Sequence, residues 1–84
     1  MRHFASGAFW EAYNKLPEHI RALANKNFAL RKENPQHPSL QFKKIGRFWS
    51  ARVGLRYRAL AVEAGDDIVW LWIGSHADYD ALLK

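Results

Sequence analysis

The run Phe48-Trp49-Ser50-Ala51-Arg52-Val53-Gly54-Leu55-Arg56-Tyr57-Arg58-Ala59-Leu60-Ala61-Val62 constrains this chain more than any other stretch. It holds aromatic and β-branched residues in two blocks with a glycine at the join, the pattern of a β-hairpin. Side chains alternate faces along a strand. Trp49, Ala51 and Val53 therefore share one face of the first strand, and Ser50 and Arg52 the other. In the second strand Tyr57, Ala59 and Ala61 form one set, and Arg58, Leu60 and Val62 the other. Two arginines thus project from adjacent strands of an otherwise apolar sheet. Surface arginines at a solvated edge are common. The alternative is an anion site, because a guanidinium makes bidentate bonds to phosphate.

Helices are expected before this hairpin. Met1 to Ala5 is either a short strand or a frayed end. Ser6 suits the N-cap of a first helix, in which Phe9, Tyr13 and Leu16 recur at helical spacing. Pro17 fits the first position of a second helix, with Glu18 favourably placed in its first turn. Ile20, Leu23, Ala24, Phe28 and Leu30 form its apolar side, and Asn34-Pro35 ends it. Pro35 to Ser39 reads as a loop, with His37-Pro38 an exposed turn.

Strands are expected on both sides of the hairpin. Leu40 to Ile45 leads through Gly46-Arg47 into it, and Gly65-Asp66-Asp67 is the next turn. Ile68 to Ile73 is apolar on both faces, as in a strand interior to a sheet. Gly74-Ser75 is expected to break that strand, and Ser75 to cap a short final helix. Helices followed by tightly connected strands imply an α+β domain.

Composition narrows the function. Eighty-four residues make a single domain, 1–84, with 49% apolar residues and no cysteine. Disulfides and thiolate metal sites are excluded, and a reducing cytoplasm is the expected compartment. No apolar run reaches membrane-spanning length. The net charge is +5, and no acidic residue lies between Glu33 and Glu63. That interval holds Lys43, Lys44, Arg47, Arg52, Arg56 and Arg58, interleaved with Phe42, Phe48, Trp49 and Tyr57. Such a block suits nucleic acid or an acidic protein. Lys43 and Lys44 equally suit a solvated strand edge. Trp70 and Trp72 suit the core more readily than base stacking. His76, Asp78 and Asp80 lack the spacing of a recognised metal site. No catalytic triad or glycine-rich phosphate loop is present.

The element order, the runs Phe48–Gly54 and Tyr57–Leu60, and the ending Ile73-Gly74-Ser75-His76-Ala77-Asp78-Tyr79 resemble the RelE/ParE toxin superfamily. The resemblance implies two N-terminal helices packed on one face of an antiparallel meander sheet, with a short C-terminal helix. It implies the toxin of a type II toxin–antitoxin pair, with a cognate antitoxin as partner and no cofactor or metal. In the RelE-like branch the activity is metal-independent cleavage of messenger RNA on the ribosome. In the ParE-like branch the target is DNA gyrase, so the alternative is a non-enzymatic protein binder or an inactive homologue.

Carried over by position, Arg52 matches a basic strand residue that RelE-like members use on the phosphate, and Arg58 their arginine in the next strand. His76 falls where members carry an arginine or histidine that serves as, or beside, the general acid. Lys43, Lys44, Arg47 and Arg56 are the expected RNA contacts around them. Tyr79 lies near, though offset from, a tyrosine some members stack on a base. Ser50 stands where several RelE-like members have lysine.

The chemistry asks for these residue types on its own terms. RNA carries its nucleophile, the 2′-hydroxyl, beside the scissile phosphate. An enzyme must stabilise added charge on phosphorus-bound oxygens, which arginines do. It must also protonate the departing 5′-oxygen, and histidine titrates near neutral pH. Glu63 lies at the wrong end of its strand to be the base. His76 has a structural alternative, as a capping group or a partner of Asp78 or Asp80.

Overall fold

Ser6 starts the first helix: its side-chain oxygen accepts the Phe9 N–H at 3.2 Å, so one orphan donor of the first turn is satisfied. The structure, a computed structural model, describes residues 2–33 and 41–82. In chain order the elements are β1 (His3–Ala5), α1 (Gly7–Asn14), α2 (Glu18–Glu33), β2 (Lys43–Ile45), β3 (Phe48–Val53), β4 (Tyr57–Ala64), β5 (Asp67–Ser75) and α3 (His76–Leu82). The expected helix end at Asn34-Pro35 and the loop from Pro35 to Ser39 lie outside the described residues. Pro17 stands just before α2 rather than inside it, and its carbonyl accepts the N–H groups of Ile20 and Arg21 at 3.0 Å. No helix among the described residues is long and apolar enough to cross a membrane.

The strands form one five-stranded sheet in the order β1-β5-β4-β3-β2. From β2 to β5 it is the expected antiparallel meander. The sheet as a whole is mixed, because β1 pairs parallel to β5, with Phe4 opposite Val69. A three-residue strand carries no periodicity that announces a parallel partner. The parallel pairing is made possible by the α1–α2 excursion, which returns the chain to the far edge at β2. β2 itself is shorter than the Leu40–Ile45 expectation, beginning at Lys43.

Phe9, Leu16, Ile20 and Ala24 of the helical layer pack on Ala51, Val53, Ala59, Ala61, Ile68, Trp70 and Ile73 of the sheet. Small alanines on β3 and β4 let α1 and α2 lie close to the strands. Burying the Phe9 ring, 1% exposed, contributes roughly 1.5–3 kcal/mol. By alternation the opposite sheet face carries Ser50, Arg52, Arg58 and Leu60.

β5 does not break at Gly74-Ser75. Gly74 pairs with Arg58 and Ser75 with Tyr57. A Cβ at Gly74 would lie 2.4 Å from the Trp72 ring, so the indole covers this glycine. A register shift between Leu60 and Ala61 puts Trp70 opposite Ala61 and Trp72 opposite Leu60. Leu71 is the extra residue. Simple alternation would put both tryptophans on one face, but the bulge moves Trp72 to the face away from α1 and α2.

Candidate functional site

Arg52 and Arg58 are direct partners across the β3–β4 ladder, so their Cα atoms are about 4.5–5.5 Å apart and their side chains share a face. That face is the one turned away from α1 and α2. Their surroundings differ. Arg52 is half-buried and bonds from Nε to the Gly54 carbonyl at 2.8 Å. Arg58 is only 7% exposed, so the solvated-edge reading does not hold for it. It is covered by α3, not by α1 or α2. Its Cζ sits 5.2 Å from the centre of the Tyr79 ring, and its Nε donates to the Ser50 side chain at 3.0 Å. Among the described residues no carboxylate pairs with Arg58, and its Nη2 is buried without a hydrogen-bond partner. A buried cation in that condition is costly, and an anion is the group that would relieve it.

His76 opens α3 at the same end of the sheet. Its backbone N–H donates to the Arg56 carbonyl at 2.6 Å, tying the helix start to the β3–β4 turn. Its Nδ1 lies 3.2 Å from Asp80 Oδ2, one helical turn on. With Nδ1 facing a carboxylate, Nε2 is the nitrogen left for other chemistry. The pair is about half exposed, so its contribution to stability is small. The Tyr79 ring is 5.7 Å from the imidazole and so neighbours both His76 and Arg58. Ser75 caps α3 as expected, accepting the Asp78 N–H at 3.2 Å.

The sequence profile of the ParE-like toxin domain matches residues 18–81. The chain belongs to that family. Comparison with curated protein sequences finds no match. Among solved structures, the RelB–RelE antitoxin–toxin complex of Methanococcus jannaschii is similar at TM-score 0.74 and 19% identity, over 96% of this chain and 99% of that one. The RelBE2 toxin–antitoxin complex of Mycobacterium tuberculosis is similar at TM-score 0.66 and 22% identity, with 92% of each chain covered. The isolated RelE toxin of E. coli follows at TM-score 0.63 and 11% identity, over 98% of this chain and 95% of that one. At these identities the likeness is one of fold. Together with the family profile, it makes this a toxin of the RelE/ParE superfamily.

The four other cations expected to contact RNA are distributed unequally. Lys43 is opposite Ser50, on the face and row that adjoin Arg58. Arg56 is exposed in the β3–β4 turn, beside His76. Lys44 points to the other face, where its Nζ lies 3.4 Å from Glu63 Oε1 and 6.0 Å from the Trp49 ring. Arg47 stacks over Phe48 at 5.7 Å in the β2–β3 turn, roughly 16 Å along the strand from Arg52. The structure therefore brings Lys43, Arg52, Arg56, Arg58 and His76 to one end, and separates Lys44 and Arg47 from them. Tyr79 does not offer an open ring face for stacking; it is 6% exposed on the side of α3 that faces Arg58, and its hydroxyl has no partner among the described residues.

Glu63 is confirmed at the opposite end of β4, facing β2. The Trp49 Nε1–H donates to it at 2.8 Å and Lys44 lies beside it. That hydrogen bond first, and the lysine charge second, hold its carboxyl below the usual value. Among the described residues no cluster of three His, Asp or Glu is arranged to hold a metal ion. Asn27 was not legible as a contributor: from α2 its Nδ2 donates to the Arg52 carbonyl at 3.3 Å, and a lone asparagine on a helix carries no signal for that role. Ser50 stood out only as a departure from the superfamily's lysine, yet it is fully buried and anchors Arg58.

Proposed function

We propose that this toxin domain is the effector of a toxin–antitoxin pair and cleaves messenger RNA on the ribosome without a metal. The observation that carries this reading is the Arg52–Arg58 pair: two cations directly opposite, one of them buried with an unpartnered Nη2. Arg52 grips the scissile phosphate from the solvent side, and Arg58 supplies donors beneath it. Both aim positive charge where the phosphorane-like oxygens gain negative charge. The RNA 2′-oxygen attacks the adjacent phosphorus and the P–O5′ bond breaks, giving a 2′,3′-cyclic phosphate and a 5′-hydroxyl. His76 Nε2 protonates the departing 5′-oxygen, while Asp80 orients the ring through Nδ1. The 2′-hydroxyl proton leaves to a ribosomal group, since Glu63 stands at the other end of β4.

The partner in this reading is a cognate antitoxin, as in the RelB–RelE complexes the fold resembles. An open groove of about 810 Å³ is lined by Lys44, Arg47, Phe48, Val62, Glu63 and Leu71. Phe48, Val62 and Leu71 suit the apolar anchors of an antitoxin segment, and Arg47 suits an acidic group on it, Lys44 being already paired with Glu63.

A second reading, a gyrase inhibitor or an inactive homologue, is favoured by the Tyr79 cover over Arg58 and by Ser50 in place of lysine. Mapping the 5′ ends of cellular messages after induction tests the choice. New ends within coding regions are expected for the wild type and not for Arg52→Ala. Inhibited gyrase supercoiling with no new message ends would replace the nuclease reading with the second one.

A further inference from the structure

The β3–β4 turn carries a side chain that the reading above leaves unused. Leu55 is 84% exposed, the most exposed large apolar side chain among the described residues. It contributes little to the fold. Its backbone, in contrast, is held on both sides. Gly54 adopts φ +66°, and a Cβ there would lie 2.6 Å from Leu23 Cδ2, so α2 packs directly on the turn. The Gly54 carbonyl accepts from Arg52 Nε at 2.8 Å, and the Arg56 carbonyl accepts the His76 N–H at 2.6 Å. Asn27 holds the Arg52 carbonyl at 3.3 Å. The turn is thus bonded to β3 and α3 and packed on α2, while its central side chain stands in water.

Single exposed leucines are ordinary on protein surfaces. This one is set apart by its anchored backbone and by its neighbours. Arg52, Arg56 and Arg58 lie within three residues of it, with no acidic residue between Arg52 and Arg58. A fixed apolar tip among cations matches a ligand that alternates anionic and apolar parts. RNA does so, with phosphates beside base faces, and aliphatic side chains serve as wedges against bases in other nucleic-acid complexes. Leu55 stands in the turn that joins the two strands, three residues from each arginine of the pair, so its backbone lies no more than about 10 Å from either of theirs.

We infer that Leu55 is a positioning residue that packs against an unstacked base flanking the phosphate held by Arg52 and Arg58, and so sets where the strand is cut. The inference rests on the RNA reading of the same site. Burial of the side chain on the base favours the bound strand, with no effect on the free fold.

The test compares wild type, Leu55→Ala, Leu55→Met and Arg52→Ala on programmed ribosomes, with cut sites mapped at nucleotide resolution. A fluorescent single-stranded RNA oligonucleotide is titrated in parallel. Leu55→Ala should lower kcat/KM and oligonucleotide affinity about tenfold, on the scale of losing part of one buried leucine. It should also flatten the base preference beside the cut, at an unchanged melting temperature. Leu55→Met should restore both, because it keeps the apolar volume. Wild-type rate and base preference in Leu55→Ala, with Arg52→Ala impaired, would overturn the inference and leave the RNA reading intact. A wild type that neither binds nor cleaves RNA would overturn both. A Leu55→Ala protein that keeps RNA binding but loses its protein partner would reassign the tip to a protein contact.

Discussion

Arg58 donates through Nε to the oxygen of Ser50, 3.0 Å away, and Ser50 is fully buried. The two residues are therefore coupled, and each is expected to be worse off alone. Ser50→Ala removes the acceptor from a buried cation whose Nη2 already lacks a partner. A loss of about 1–3 kcal/mol is expected by urea denaturation. Arg58→Met leaves the serine hydroxyl buried and unpaired and should also destabilise. The double variant, which removes both polar groups, should be more stable than Ser50→Ala alone. Strictly additive losses would mean that the hydrogen bond does not organise this cluster.

The glycines at two turns separate backbone strain from packing. Gly65 has φ +63° and open space where a Cβ would stand, whereas Gly54 has φ +66° and Leu23 in the way. Gly65→Ala should cost about 1–2 kcal/mol from the left-handed backbone alone. Gly54→Ala should cost more, because Leu23 must also move, and it should loosen the turn that presents Leu55. Equal urea midpoints for the two variants would show that Leu23 yields freely and does not clamp the turn.

Glu63 gives a pH signature. Its folded-state carboxyl titrates below the ordinary value of 4.5, so its interaction with Trp49 and Lys44 stabilises the fold above that value. The stabilisation is lost as pH falls through the lower folded value. Glu63→Gln keeps an acceptor for the indole and removes the charge. The gap in urea midpoint between wild type and Glu63→Gln should be open at pH 7 and close toward pH 3. An identical gap at both pH values would contradict the assignment. Since Glu63 lies far from His76, cleavage rate should not follow this variant.

Local chemistry makes much of the fold legible in the sequence. Ser6 and Ser75 announce their helices, and Gly54 and Gly65 announce the turns flanking β4, because these residues act within a few positions of themselves. The placement of Arg52 and Arg58 on one face follows from alternation within a hairpin. What escaped depends on contacts distant in sequence. The parallel β1–β5 pairing, the bulge that turns Trp72 away from Trp70, and the continuation of β5 through Gly74 all arise from partners on other strands. The burial of Arg58 needs Tyr79 and Ser50 together, and no spacing rule joins three such elements.

The decisive measurement is the single-turnover rate of messenger RNA cleavage on programmed ribosomes for wild type and His76→Gln, with antitoxin-free protein of matched melting temperature. Glutamine can hydrogen-bond but cannot deliver a proton. Cleavage by the wild type, with a loss of about 10²–10⁴-fold in His76→Gln, is the result expected of a general acid. Equal rates would reduce His76 to the residue that ties α3 to the Arg56 carbonyl, and no cleavage by either protein would contradict the nuclease reading itself.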